Sequence, residues 1–345
     1  MRRICLIRHG HPDFPFGERR CVGGRTDLPL GALGRMQAAL LPFLPELEGL
    51  SAVFCSPLAR ARETALPLCA APRVMAGLEE QDMGVWDGLS FREIRERFPE
   101  LYEARERDPS LLPEGAESID EVRARMRAAL LRCLDESEGD IAVAGHRTAI
   151  ASLTGHRELL LHGSVTVLRW DGERYSIEAL GVRPCPPLTR RLAETLLAAA
   201  APGERVEAHC RAVAAEALRI ARALPSELDE ELLVSAALLH DVARAEPDHA
   251  RVGAAWLREL GYADAAACVE RHHDCCGEAI DEAAVLFLAD KCVREDRRVT
   301  LAERFAGSEA RCLTPEARAA HAARLEAALR LRDEINALCG RTLVE

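Results

Sequence analysis

Arg3-Ile4-Cys5-Leu6-Ile7-Arg8-His9-Gly10 sets a short apolar run directly against a charged residue, a histidine and a glycine. Four successive apolar residues, Ile4 to Ile7, read as a strand buried on both faces. Working outward, the same signature recurs twice. Ala52 to Cys55 runs into Ser56-Pro57-Leu58-Ala59-Arg60-Ala61-Arg62-Glu63-Thr64, and Ile141 to Ala144 runs into Gly145-His146-Arg147. Between them, Ser118-Ile119-Asp120-Glu121 is a capping box opening a helix to about Leu134. Further on, Val165 to Trp170 and Tyr175 to Leu180 flank the hairpin signal Asp171-Gly172. This alternation predicts an α/β domain over residues 1–182, a mostly parallel sheet flanked by helices.

In an open α/β sheet the carboxyl ends of the strands form the ligand crevice. Arg8, His9, Arg60 and His146 all follow such ends, and two guanidinium forks with two imidazoles suit a phosphate group. A histidine after one strand is ordinarily a polar loop residue. Three such strand ends together point to a site.

After the hairpin, Gly181-Val182-Arg183-Pro184-Cys185-Pro186-Pro187 is stiff and proline-rich, so residues 183–189 read as a linker. Residues 190–345 then change texture to alanine- and leucine-rich segments, predicting an all-α domain of about six helices. Ser226 is placed to cap the helix entering Leu232 to Leu239, and Thr314-Pro315 is a cap followed by proline at the first helical position. In this half His209, His240-Asp241, His249, His272-His273 and Asp290 sit in or at the ends of apolar helical segments. Helical bundles build metal sites from such side chains on facing helices. An adjacent donor pair at a helix end, such as His240-Asp241, is awkward to bury without a cation. Imidazole with carboxylate suits Fe, Mn, Zn, Ni or Co better than Ca. His321 reads as an ordinary helix histidine, and Lys291, the only lysine, as a solvated helix-end residue.

The 345 residues exceed a usual single core, in keeping with two domains. A formal net charge of −11 argues against a nucleic-acid polymer or a membrane surface as partner. It leaves room for small phosphorylated metabolites or nucleotides, which a local arginine cluster can hold. Ile4 to Ile7 is too short for a signal-peptide apolar region, and 13 scattered cysteines suit free thiols in a reducing compartment. A cytoplasmic protein is expected. Cys275-Cys276 has no Cys-x-x-Cys companion to make a thiolate zinc site.

The first half resembles the histidine phosphatase (phosphoglycerate-mutase-like) superfamily. The motifs that carry the resemblance are Leu6-Ile7-Arg8-His9-Gly10, Gly24-Arg25-Thr26-Asp27-Leu28-Pro29-Leu30 running into Gly34-Arg35-Met36-Gln37-Ala38, and the Ser56 to Thr64 stretch. Leu78-Glu79-Glu80-Gln81-Asp82-Met83-Gly84-Val85-Trp86-Asp87-Gly88 and Gly145-His146 complete the set. The resemblance implies that His9 is the nucleophile, that Arg8, Arg60 and His146 hold the phosphoryl oxygens, and that Glu80 is the general acid. Arg25 and Thr26 would line the substrate pocket, and no cofactor is implied there. The chain departs from the family at His11-Pro12, where Glu-Thr or Glu-Ser is common, and at Arg147-Thr148, where glycines are common. Cys21 to Leu30 looks most like α-ribazole-phosphate phosphatases.

Residues Arg205 to Val293 resemble the HD-domain superfamily of metal-dependent phosphohydrolases, on the order His209, His240-Asp241, Asp290 with two intervening histidines. The resemblance implies that His209, His240, Asp241 and Asp290 hold one divalent transition metal, with Asp241 bridging. His249 and His272 would complete a second metal, with His273 the alternative there, and Arg244 would contact phosphate. Together the two resemblances imply a bifunctional phosphohydrolase: phosphomonoester hydrolysis through a phosphohistidine, and metal-dependent phosphoester, notably nucleotide, hydrolysis. The alternatives are a phosphatase whose HD domain only binds a regulatory nucleotide, and a phosphoryl-transferring mutase. The short interval from Glu80 to His146 has no long insert to form a lid, which favours the phosphatase over the mutase. Oligomeric state has no signature in the sequence.

Overall fold

The computed structural model describes residues 1–14, 18–108, 110–157, 160–274, 279–310 and 312–345. Cys275-Cys276 lies outside the described residues. The chain divides into two compact units, Met1–Pro186 and Pro187–Glu345.

The first unit is built on six strands: β1 (Arg2–Arg8), β2 (Ala52–Cys55), β3 (Arg73–Val74), β4 (Ile141–Gly145), β5 (Val165–Trp170) and β6 (Tyr175–Val182). They lie in the order β3-β2-β4-β1-β5-β6. β1, β2, β3 and β4 pair in parallel, while β5 runs antiparallel to β1 and β6 antiparallel to β5. The helices are α1 (Ala32–Leu40), α2 (Ala59–Ala65), α3 (Phe91–Arg97), α4 (Pro99–Arg107), α5 (Ile119–Asp135) and α6 (Arg147–Thr154).

The twofold alternation of a strand sends successive side chains to opposite faces. Both faces are covered here. Ile4, Leu6, Phe54, Ile141 and Val143 pack with Val122, Met126, Leu130 and Ile150 from α5 and α6. Cys5, Ile7, Val53, Cys55, Ala142 and Ala144 pack with Leu41, Leu44, Leu47 and Ala65. The buried residues of α5 fall at 122, 126, 129, 130, 133 and 134, a single helical stripe. Its start is fixed as expected: Ser118 Oγ accepts from Glu121 N–H while the Glu121 side chain accepts from Ser118 N–H.

Gly10 and Gly34 bring the turn after β1 against the start of α1. A Cβ at Gly34 would collide with the His11 carbonyl oxygen, and one at Gly10 with the Gly34 carbonyl oxygen. Both obstacles are backbone, so neither can swing away. Gly34→Ala is therefore expected to cost about 1–3 kcal/mol, the usual range for overpacking. It should also lower turnover by displacing the turn that carries His9. Thermal denaturation of the variant beside a kinetic assay checks both, and wild-type values in each would refute the packing argument.

The second unit contains, among the described residues, eight helices rather than about six. They are α7 (Arg190–Ala200), α8 (Glu204–Ala221), α9 (Glu230–Leu239), α10 (His249–Glu259), α11 (Ala263–Arg271), α12 (Glu282–Lys291), α13 (Leu301–Glu309) and α14 (Pro315–Cys339). A two-strand ribbon, β7 (Val293–Arg294) with β8 (Arg297–Arg298), interrupts them. Asp229, not Ser226, caps α9: its carboxylate accepts from Leu232 N–H. Thr314 caps α14 with Pro315 at its first position, as expected. Every residue of α12 from Ala283 to Lys291 is buried, so this apolar helix forms the middle of the unit. No helix among the described residues is long and apolar enough to cross a membrane.

Candidate functional site

The parallel strands β1, β2 and β4 end on the same edge, and each delivers a polar side chain there. His9 follows β1, with its N–H donating to the Gly145 carbonyl at 3.0 Å. The His9 Nδ1 lies 2.7 Å from the Gly10 carbonyl oxygen. A carbonyl can only accept, so Nδ1 carries the proton and Nε2 keeps its lone pair. Burial first, then His146, Arg60, His162 and Arg8, hold the pKa of His9 well below its ordinary value. The ring is neutral at pH 7.

Around it stand the other expected residues. His146, the N-cap of α6, is wholly buried, and its ring centroid lies 5.1 Å from that of His9. Its Nε2 meets Ser56 Oγ at 2.8 Å, while Nδ1 has no hydrogen-bond partner among the described residues. Arg60 is fully buried. It donates to the carbonyls of Thr26 at 2.8 Å and Gly23 at 3.1 Å, and its Nε has no partner among the described residues. Arg8 donates to the Leu160 carbonyl at 2.6 Å and to His162 Nε2 at 2.7 Å.

Glu80 is buried against the start of α6. Its carboxylate accepts from Gln81 N–H at 2.9 Å, Thr148 N–H at 3.1 Å and Ala149 N–H at 3.2 Å. A helix's first N–H groups lack partners within the helix, which makes them natural donors to an anion. Arg125 of α5 fixes this segment from behind, donating to the carbonyls of Gly77, Glu79 and Glu80 while pairing with Glu117 at 2.8 Å. The Arg25 side chain pairs with Asp82 at 2.7 Å and the Thr26 hydroxyl donates to Asp87, so both are held in the loop that cradles Arg60.

Two contributors were not singled out from the sequence. Thr64 Oγ1 accepts from Gly10 N–H at 3.0 Å and donates to the Arg60 carbonyl at 2.7 Å, tying the β1 turn to α2. His162 packs its ring 5.5 Å from His9 and 5.1 Å from His11. Burial, then the Arg8 charge, pushes His162 down to about 2, so it stays neutral and accepts from Arg8. It is reached because β5 is antiparallel: the residues just before β5 lie at the same edge as those just after β1.

The second unit gathers its own cluster. His209 (α8), His240 (after α9) and Asp290 (α12) form one group; His240, Asp241 and His272 a second; and His249, His272 and His273 a third. Within each, the ligand atoms lie within 4.8 Å of one another. His209, His240 and His272 place Nδ1 at 2.8, 2.8 and 2.6 Å from the carbonyls of Glu295, Ala237 and Val269. Each Nδ1 therefore holds a proton and each Nε2 is the ring nitrogen turned to the cluster, that of His209 lying 3.1 Å from Asp290 Oδ1. The Nε2 atoms of His240 and His272 are buried without a hydrogen bond among the described residues. His249 Nε2 lies 3.1 Å from Asp241 Oδ1 and 2.9 Å from His273 Nε2.

Such converging lone pairs and carboxylates fit a divalent transition ion, with backbone carbonyls orienting the imidazoles. The expected ligands His209, His240, Asp241, His249, His272 and Asp290 are all brought together. His273 joins His249 and His272 instead of replacing one of them. Arg244 reaches the same place, its Nη1 at 2.9 Å from His249 Nε2 and 3.6 Å from Asp241. Lys291 is a correction: it is buried, not solvated, and its ammonium donates to Asp290 at 2.6 Å and to the His272 carbonyl at 3.2 Å.

Comparison with known proteins divides the chain in the same way. The profile of the histidine phosphatase superfamily (branch 1) matches residues 4–183, and that of the HD domain matches residues 206–295. A bifunctional protein of Mycobacterium tuberculosis is 37% identical over 160 residues, 44% of this chain and 43% of that one. The chain thus spans under half the length of that relative. The glucosyl-3-phosphoglycerate phosphatase of the same organism is 32% identical over 167 residues, 44% of this chain and 74% of its own length. The native structure of the mycobacterial glucosyl-3-phosphoglycerate phosphatase is 26% identical with a TM-score of 0.44, covering 53% of this chain and 100% of that one.

Proposed function

The chain belongs to the histidine phosphatase superfamily (branch 1), carries an HD domain after it, and from that premise we propose that it is a bifunctional phosphohydrolase. The single observation that carries the first activity is the His9 ring, neutral, with Nδ1 spent on the Gly10 carbonyl and the ring set beside Arg60, Arg8 and His146. In this reading Nε2 attacks phosphorus in line. The nitrogen–phosphorus bond forms as the ester oxygen departs, and water later hydrolyses the phosphohistidine. Arg60, Arg8 and His146 stabilise the charge on the equatorial oxygens. Glu80 gives a proton to the leaving oxygen and takes one from water in the second step. Arg25 and Thr26 belong to the loop over the pocket and shape the choice of substrate.

In the second unit, His209, His240, Asp241 and Asp290 would hold one divalent transition ion and His249, His272 and His273 a second. Such ions supply Lewis acidity toward a phosphoryl oxygen. Arg244 orients the phosphoryl group, and Lys291 holds Asp290 in place. The substrates are small phosphorylated metabolites or nucleotides, and the protein acts in the cytoplasm. The boundaries of the two catalytic domains are 1–182 and 190–345, joined by residues 183–189.

A chelator separates the two activities. With EDTA, the full chain should keep hydrolysing an aryl phosphomonoester while losing its metal-dependent phosphoester hydrolysis. Loss of both together would remove the bifunctional reading. Glu80→Gln should slow poor leaving groups by roughly 10²–10⁴-fold and good ones far less, the mark of a general acid. A uniform loss across a leaving-group series would instead make Glu80 a positioning residue.

A further inference from the structure

Beside the His–Asp cluster of the second unit opens a cavity of about 850 Å³, large enough for a drug-sized ligand. Its lining takes in Asp241, Asp290 and Arg244 of the cluster together with Arg294, Arg304 and Arg324. In a chain with a net charge of −11, such a concentration of guanidinium groups is a local reversal of sign. Glu295, the other carboxylate on the wall, faces Arg205 at the exposed rim, 4.0 Å away.

The three outer arginines are only partly spent on nearby carboxylates. Arg304 of α13 sends Nη2 to within 4.0 Å of Asp290, yet its buried Nε has no hydrogen-bond partner among the described residues. Arg294, on β7, lies against Gly307, where a Cβ would come within 2.9 Å of Nη1; the glycine makes room for the guanidinium. Arg324 of α14 is steered by one bond, from Nε to Asp274 at 2.8 Å. Arg304 and Arg324 stand on helices beyond residues 206–295, so this wall is an addition outside the HD match. A single phosphoryl group at the cluster would be served by Arg244, leaving these three cations with only the 4.0 Å approach to Asp290 and the 2.8 Å bond to Asp274 between them.

We infer that the second unit takes a substrate carrying two phosphoryl groups, one seated at the His–Asp cluster and the other on Arg294, Arg304 and Arg324. The inference rests on the metal-centred reading above and deepens it to a substrate class: diphosphate- or bisphosphate-type compounds in preference to simple monoesters. Guanidinium forks bind phosphate oxygens in pairs, so three more of them lining the same cavity suit a second phosphoryl group.

The test is calorimetric binding of methylenediphosphonate and methylphosphonate to the metal-reconstituted full chain, with metal content measured in parallel. Wild-type protein is expected to bind the diphosphonate at least about tenfold more tightly, on the order expected for an added charge-assisted contact. Arg294→Gln combined with Arg304→Gln and Arg324→Gln should erase that preference and leave metal content and circular dichroism unchanged. Arg294→Glu alone, at an exposed position, should reduce the preference even where the triple variant does not fold. Equal wild-type affinity for the two probes, or a preference that survives the substitutions, overturns the inference while metal binding stands. A wild-type chain that takes up no metal overturns the metal-centred reading itself.

Discussion

Replacing His9 with alanine is expected to abolish turnover at the first site, by on the order of 10⁴-fold or more, as removal of a covalent nucleophile does. The acid-labile phosphoenzyme should vanish with it. The expectation comes from geometry: with Nδ1 of His9 committed to the Gly10 carbonyl, Nε2 is the unprotonated nitrogen of a ring that stands beside Arg60, Arg8 and His146. His146 Nε2 is engaged by Ser56, and His162 Nε2 by Arg8. Trapping with labelled phosphate decides it. If His9→Ala still takes up the label, the nucleophile lies elsewhere. The same ring fixes a pH dependence. Because its folded pKa is depressed, His9 stays in its reactive neutral form as pH falls through 6.5. Phosphoenzyme formation, corrected for the ionisation of the substrate, should therefore show no inflection near 6.5. An inflection there would mean a solvated imidazole.

Asp241→Asn should strip the second site, lowering metal affinity by about 100-fold or more, at or beyond the upper end of effects seen for outer-shell partners. Wild-type protein should approach two metal equivalents per chain by elemental analysis after reconstitution. The variant should lose at least one. Asp241 is buried between His240, His249 and His272, at 3.7, 3.1 and 3.8 Å, so the neutral amide removes the negative charge nearest to three imidazoles. The metal-free phosphatase activity should stay within about twofold, since the two donor sets share no residue and no secondary-structure element. Wild-type stoichiometry in Asp241→Asn would show that the cluster holds its ions without the Asp241 carboxylate.

The sequence was readable wherever local chemistry decides the structure. The runs at Ile4, Ala52 and Ile141 are strands because four buried apolar residues in a row fit little else, and their parallel pairing puts His9, Ser56 and His146 on one edge. Ser118 and Thr314 cap helices through side-chain bonds that need only neighbours in sequence. His162 was missed because its place depends on direction: only the antiparallel course of β5 returns it to the edge where β1 ends. Ser226 lost the α9 cap to Asp229, three residues nearer the helix, with a carboxylate suited to the amide of Leu232. Lys291 misled because a lysine at a helix end is usually solvated. Here the carboxylate of Asp290 and the carbonyl of His272 replace the water, a compensation made across the tertiary fold. The β7–β8 ribbon escaped for a similar reason, being two short strands packed against α8 and α12.

That buried lysine has an experimental consequence. Lys291 is the chain's only ε-amine, and it lies shielded beside Asp290. An amine-reactive acylating reagent can modify this side chain only during the moments when the surroundings of α12 part. The labelling rate of a single residue thus becomes a clock for local opening of the His–Asp cluster. Ions or ligands that bind the closed form should slow the clock in proportion to their occupancy, because they stabilise that form by mass action. A chain with 44 arginines and one lysine carries, in effect, its own site-specific reporter at the centre of its second domain.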